Sequence, residues 1–150
     1  MKILMTGLLV LSLLACQSTS PPKQSDGVLA ALYQQHSEWR GTPYRLGGYD
    51  RSGIDCSGFV ALTMADLFAV SLPRTTLHQS KLTPKVSASQ LQTGDLVFFK
   101  IPGQGKTYHV GIYLEQGRFL HASTSRGVMI SALTLDYWSR NFWQAVRILP

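Results

Sequence analysis

Two cysteines and four histidines are all this chain offers a thiol-bonded framework or a soft metal ion, and they are scattered. Neither Cys16 nor Cys56 belongs to a C-x-x-C pair, and no two histidines have the H-x-x-x-H spacing that seats zinc on one helix face. A zinc site built from Cys56, His109 and His121 would lack any close-spaced ligand pair, so neither a metal nor another cofactor is expected. Acidic residues are scarce, 8 against 14 lysines and arginines, for a formal net charge of +6. The cations (Arg40, Arg45, Arg51, Arg74, Lys81, Lys85 and beyond) form no run and no aromatic-interleaved stripe. That excludes a nucleic-acid surface. A balance of this size suits an anionic wall polymer or lipid headgroups, but decides little. The longest apolar run, Ile3 to Leu14, is too short for a bilayer span, which needs about 20 residues. There is no internal repeat.

That short run has another use. Lys2, the apolar stretch and Leu13-Leu14-Ala15-Cys16 form a signal peptide over residues 1–15. Its end resembles a bacterial lipobox, in which cleavage before the cysteine leaves it acylated at the new N-terminus. The resemblance implies a lipid on Cys16. Gln17 in place of Asp implies sorting to the outer membrane of a Gram-negative cell. Residues 16–25 are then the lipidated N-terminus and a polar, Pro-containing tether without a core face. With Cys16 acylated no disulfide is left to form. Cys56 becomes the lone thiol of an exported domain over residues 26–150, an oxidation liability unless it is used.

The domain is large enough for one core. Val28 to Trp39 has apolar residues on one side and predicts a helix, with Asp26 as its N-cap. Gly41 to Gly48 is a loop, broken by Pro43 and paired glycines. Phe59, Val60, Met64, Leu67 and Phe68 sit at helical spacing, so a second helix runs from Cys56 to about Ala69. Residues 73–93 are mostly irregular, with a turn of helix around Thr75–Lys81. From Gly94 the period changes to that of strands: Asp95–Lys100, Tyr108–Glu115, Arg118–Ala122, Val128–Leu133 and Ala145–Leu149. Glu115-Gln116-Gly117-Arg118 fits a two-residue hairpin with Gly at positive φ. Helices followed by a strand meander predict an α+β domain with an antiparallel sheet.

The chemistry concentrates at Asp55-Cys56-Ser57-Gly58-Phe59-Val60. A thiol in the first turn of a helix faces free backbone N–H groups and the positive end of the macrodipole, which favour the thiolate. Either His109 or His121, each beside a strand-like run, could supply the base such a thiol needs. The plain alternative is a buried structural cysteine capped by Asp55. His36, on the polar side of the first helix, and His78, in a polar segment, are ordinary surface residues. Arg45 and Arg74 could pair with substrate carboxylates but are more simply solvated. The tryptophans Trp39, Trp138 and Trp143 are core or domain edge.

Several segments in order resemble the NlpC-type cell-wall cysteine peptidases, a compact branch of the papain-like fold. Gly41-Thr42-Pro43-Tyr44-Arg45-Leu46-Gly47-Gly48 resembles the family's loop before the nucleophile, and Gly53-Ile54-Asp55-Cys56-Ser57-Gly58-Phe59-Val60 its nucleophile motif. Leu72-Pro73-Arg74-Thr75-Thr76 resembles the segment that follows. Gln92 to Phe99, His109-Val110-Gly111-Ile112-Tyr113 and Phe119-Leu120-His121-Ala122-Ser123 resemble its strands. The resemblance implies N-terminal helices packed on an antiparallel sheet, with Cys56 as nucleophile at a helix N-terminus. It implies His109 as base and His121 as the third group, orienting His109 and favouring its charged form beside a thiolate. It also implies the Cys56 N–H and the Tyr44 hydroxyl as oxyanion donors. Asp55 and Ser57 flank the cysteine and could shape the substrate groove, while Asp55 reads equally well as a helix cap. The implied substrates are peptidoglycan stem peptides, cut at the γ-D-glutamyl to diaminopimelate bond or at the diaminopimelate crosslink. The implied place is the periplasmic face of the outer membrane, with the lipid anchor standing in for a wall-binding module. An unrestrained wall hydrolase is dangerous, so a protein regulator is expected, of a kind the chain does not name. Two competing classes are a non-catalytic wall-binding or scaffolding lipoprotein and an amidase or acyltransferase of the same superfamily. The complete Cys56, His109 and His121 set argues against the first.

Overall fold

The computed structural model describes residues 24–103 and 107–150. The signal peptide, Cys16 and most of the tether therefore lie outside the described residues. The first helix, α1 (Gln24–Trp39), includes Asp26 within its first turn instead of starting after it. A carboxylate there is favoured by the positive end of the macrodipole whether or not it caps. The helix buries Leu32 and Trp39, and Gln35 Nε2 donates to Thr63 Oγ1 at 3.1 Å. A two-stranded ribbon follows, β1 (Tyr49–Asp50) against β2 (Gly53–Ile54), then α2 (Cys56–Phe68) and the short α3 (Thr76–Gln79). The ribbon was not legible as strand because Asp50 to Gly53 carries turn residues and no alternation.

The rest is sheet: β3 (Lys85–Val86), β4 (Leu96–Ile101), β5 (Thr107–Tyr113), β6 (Arg118–Ser123), β7 (Gly127–Ala132), a helical turn and a half in α4 (Asp136–Asn141), and β8 (Phe142–Val146). The strands form one six-stranded sheet in the order β3-β8-β4-β5-β6-β7, antiparallel throughout. The α+β architecture agrees with the sequence pattern. The last strand lies a few residues earlier than Ala145–Leu149, because α4 delivers the chain into it at Phe142. Beyond Val146 the chain leaves the sheet, where Arg147 fastens to buried Asp95 through Nε and Nη2, each at 2.9 Å.

Leu96-Val97-Phe98-Phe99 is buried at every position, which means that both faces of the sheet are covered. Leu96 and Phe98 join Phe59, Val60, Met64, Val110, Ile112 and Leu120 in the main core under α1 and α2. Val97 and Phe99 face the other way, against Phe119, Ala145, Trp138 and Phe142. Between β5 and β6 the turn has φ of 49° at Gln116 and 72° at Gly117, the positive pair that matches strand twist. These two strands pair only at Ile112↔Leu120 and Tyr113↔Phe119. Helix α2 packs against both strands.

Candidate active site

Asp55 builds the end of α2. Its backbone is extended and its Oδ1 accepts from Gly58 N at 2.7 Å, a helix N-cap. Its Oδ2 accepts from Gly47 N at 2.8 Å, which ties the preceding loop to the helix. Arg74 closes on the same carboxylate with Nη1 at 2.8 Å and Nη2 at 2.9 Å, and also donates to Gly48 O and Ser57 Oγ. Asp55 is thus both the cap and a wall of the groove. Burial works against its charge, but the bonds from Arg74, Gly58 and Gly47 outweigh that and hold its pKa below the usual carboxylate value. Ser57 is buried, donating to Asp55 Oδ1 at 3.3 Å. Gly58 is glycine for want of room: a Cβ there would stand 2.8 Å from Gly48 O and 2.9 Å from Asp55 Oδ1.

Cys56 is the first residue of α2 and is 5% exposed. Its Sγ lies 3.5 Å from Thr76 Oγ1, and the N–H groups of Val110 and Ser57 point at it. Tyr44, Thr107 and Tyr108 line both the groove that holds Cys56 and the pocket that holds His109, so the two cavities adjoin. The thiol is hydrogen-bonded to Thr76 and not to an imidazole. Burial pushes its pKa up, and the bonds from Thr76, Val110 and Ser57 offset this only partly. Burial thus works against the thiolate that a helix N-terminus favours.

The histidines meet. His109 Nε2 and His121 Nδ1 are 2.8 Å apart, and His121 Nε2 lies 2.9 Å from Ser131 Oγ. Trp138 lies against both rings, at centroid distances of 5.1 Å and 5.0 Å. His109 is 6% exposed and His121 is fully buried. Burial lowers the pKa of His109 to about 4 and that of His121 well below 6.5, with the neighbouring His109 adding to the second shift. Both imidazoles are therefore neutral near pH 7, not the charged form the thiolate pairing implied. In a neutral pair each ring carries one N–H, and whether the Ser131 hydroxyl donates or accepts decides which nitrogens carry it. With Ser131 Oγ accepting from His121 Nε2–H, His121 Nδ1 accepts from His109 Nε2–H. In that tautomer the Nδ1 of His109 carries a lone pair and is a base.

Tyr44 borders the thiol, and its phenol is pushed up to about 12, first by burial and then by the charges of Cys56 and Asp55. It keeps its proton and can donate. On the cysteine side a groove of about 510 Å³ is lined by Tyr44, Asp55, Cys56, Ser57, Arg74 and Thr76, among others. On the histidine side a pocket of about 420 Å³ is lined by His109, Ser131, Trp138, Tyr44 and Arg126, among others. His36 lines neither, while His78 shares a hydrogen bond with Thr75 Oγ1, whose residue lines the cysteine-side groove. Arg45 pairs with Asp50 at the surface. Among the described residues no group of three His, Cys, Asp or Glu side chains could hold a metal ion. Sequence reasoning missed Thr76, Ser131 and Trp138. Ser131 carried a faint signal as a hydroxyl inside an apolar strand, whereas Trp138 carried none.

The arrangement has relatives. A family model described as the NlpC/P60 family matches residues 41–147. The Escherichia coli (strain K12) protein named "Probable endopeptidase NlpC" is 51% identical over 121 residues, covering 81% of this chain and 79% of its own. The "Murein DD-endopeptidase MepS/Murein LD-carboxypeptidase" of the same organism is 45% identical over 122 residues, covering 81% of this chain and 64% of its own. Among solved structures, a Staphylococcus aureus subsp. aureus Mu50 protein of the NLP/P60 family, described as similar to lipoprotein, superposes with a TM-score of 0.73. It shares 33% identity and covers 89% of this chain and 45% of its own. The match spans the Tyr44 loop, the Asp55–Cys56 helix start and the strands bearing both histidines, so this chain belongs to the NlpC/P60 family.

Proposed function

We propose that this chain is a cysteine endopeptidase that hydrolyses amide bonds in peptidoglycan stem peptides, with Cys56, His109 and His121 as its catalytic set. The single observation that carries the reading is a buried thiol at a helix N-terminus whose groove adjoins, through Tyr44, Thr107 and Tyr108, the pocket of a hydrogen-bonded histidine pair. His109 Nδ1 takes the thiol proton as Sγ attacks the carbonyl carbon. The oxyanion is held by the Cys56 N–H and the Tyr44 hydroxyl. The C–N bond breaks, the proton passes from His109 to the leaving amine, and a thioester remains on Cys56. Water, giving its proton to His109, then releases the carboxylic acid and restores the thiol. His121 acts through His109, setting its tautomer as a carboxylate does in serine triads. The names of the endopeptidase relatives support this substrate class. The bond is either the γ-D-glutamyl to diaminopimelate link or the diaminopimelate crosslink. A lipid on Cys16 would hold the enzyme on the periplasmic face of the outer membrane, with the polar segment reaching the outer side of the wall.

The test is muropeptide digestion. The full chain, purified in mild detergent under reducing conditions, is incubated with diaminopimelate-type muropeptides beside Cys56→Ala, and products are read by mass. Cleavage that vanishes in the variant supports the reading, and the masses name the bond. Wild-type turnover by Cys56→Ala would refute the nucleophile. Binding without cleavage by a folded, thiol-reactive chain would favour the scaffolding class.

A further inference from the structure

The pocket on the histidine side has a chemistry of its own. Arg126, in the turn between β6 and β7, is the only charged side chain among the described residues that line it. Its other walls are aromatic (Tyr137, Trp138), aliphatic (Met129, Leu135) or hydroxylic (Ser123, Thr124), among others. The groove on the cysteine side also has a guanidinium, but Arg74 is committed to Asp55 there. Arg126 has no carboxylate partner among the described residues, and its side chain is exposed.

Direction along the substrate follows from proton transfer. The leaving amine takes its proton from His109, so the residue attached to that amine lies over the histidine and not beyond Cys56. His109 itself lines this pocket. We propose that the pocket receives the amine half of the scissile bond, and that Arg126 holds a free carboxylate on the carbon bearing the leaving nitrogen. This rests on the peptidase reading above and chooses between its two bonds. In a crosslink made through the distal amino group of diaminopimelate, the carbon bearing the leaving nitrogen carries a free carboxylate. In the glutamyl link of a longer stem, the corresponding carboxyl is consumed in the next amide. A planar, bidentate donor with no internal partner suits the first and gains nothing from the second.

The experiment compares two crosslinked muropeptide dimers, one with that carboxylate free and one with it amidated. The enzymes are the full-length wild type, Arg126→Gln and Arg126→Lys. On the free carboxylate, Arg126→Gln is expected to lose about 10- to 100-fold in kcat/KM, the range of a hydrogen bond to a charged group. On the amidated dimer it loses about twofold or less, and Arg126→Lys falls between. Equal loss on both dimers, or none on either, overturns the proposal while leaving the peptidase reading intact. So does wild-type cleavage confined to the glutamyl link of tetrapeptide stems. A folded wild type that cleaves neither dimer nor stem overturns the peptidase reading, and the proposal with it.

Discussion

Acid should loosen this domain through His109. In the folded chain the imidazole is buried, bonded to His121 and overlaid by Trp138, and its pKa is about 4 against an ordinary 6.5. Unfolding returns it to water. Between those values the unfolded chain binds a proton that the folded chain refuses, so stability falls as pH falls through the window and is level above it. Two and a half pH units at about 1.36 kcal/mol each come to about 3 kcal/mol. His121, lowered by burial and by its neighbour, pulls in the same direction. Asp55 does not confuse the measurement. Its pKa is depressed, so its contribution is present above the ordinary carboxylate value and is lost only as pH falls through its lower folded value.

The assay is urea unfolding of wild type and His109→Gln, followed by tryptophan fluorescence from about pH 7.5 to about pH 4. Wild type should lose about 3 kcal/mol more than the variant across that range. The His109 ring resonance should titrate near 4, and the acid limb of kcat/KM should fall there too, because protonation below that pH removes the base. Parallel pH profiles for the two proteins, or a ring titrating near 6.5, would refute the claim that burial holds the imidazole neutral.

Ser131→Ala should lower kcat about tenfold with KM little changed, since one buried neutral hydrogen bond of about 1 kcal/mol sets the tautomer. Ser131→Thr should restore the rate, and a variant as fast as wild type would remove Ser131 from the chain of bonds. Asp95→Asn should destabilise by about 2–3 kcal/mol, less than for a fully buried pair because Arg147 keeps partial contact with water. Thermal melting should drop by several degrees while kcat at low temperature is retained, and an unchanged melt would mean that the pair is worth no more than a surface one.

Features carried by local pattern were legible in the sequence. Helical spacing from Phe59 to Phe68 located α2, and the Gln116-Gly117 pair located the hairpin. Of the three residues the resemblance singled out, His109 and His121 meet in one hydrogen bond and Cys56 starts α2. What escaped depends on contacts distant in the chain. Arg74 read as a solvated loop cation, but Asp55, nineteen residues earlier, is its partner. Ser131 and Trp138 gain their place only when β7 pairs with β6 and α4 folds over the second face of the sheet. The protonation states escaped for the same reason. A helix N-terminus can be read from a sequence, while the depth at which it is buried cannot.

That depth has a consequence for the reaction. A thiol whose pKa is raised and whose sulfur is nearly closed to solvent is a poor target for oxidants, because the thiolate is the reactive form. The same burial would make an enzyme slow if nothing reversed it. The site already contains groups that favour the charged form: the N–H groups of Val110 and Ser57, the Thr76 hydroxyl and the positive end of α2. In the tautomer in which Ser131 accepts from His121, the Nδ1 of His109 carries a lone pair. Only a carbonyl carbon to attack is wanting. On the peptidase reading proposed above, the thiol gives up its proton as it attacks, and the ion pair belongs to the transition state.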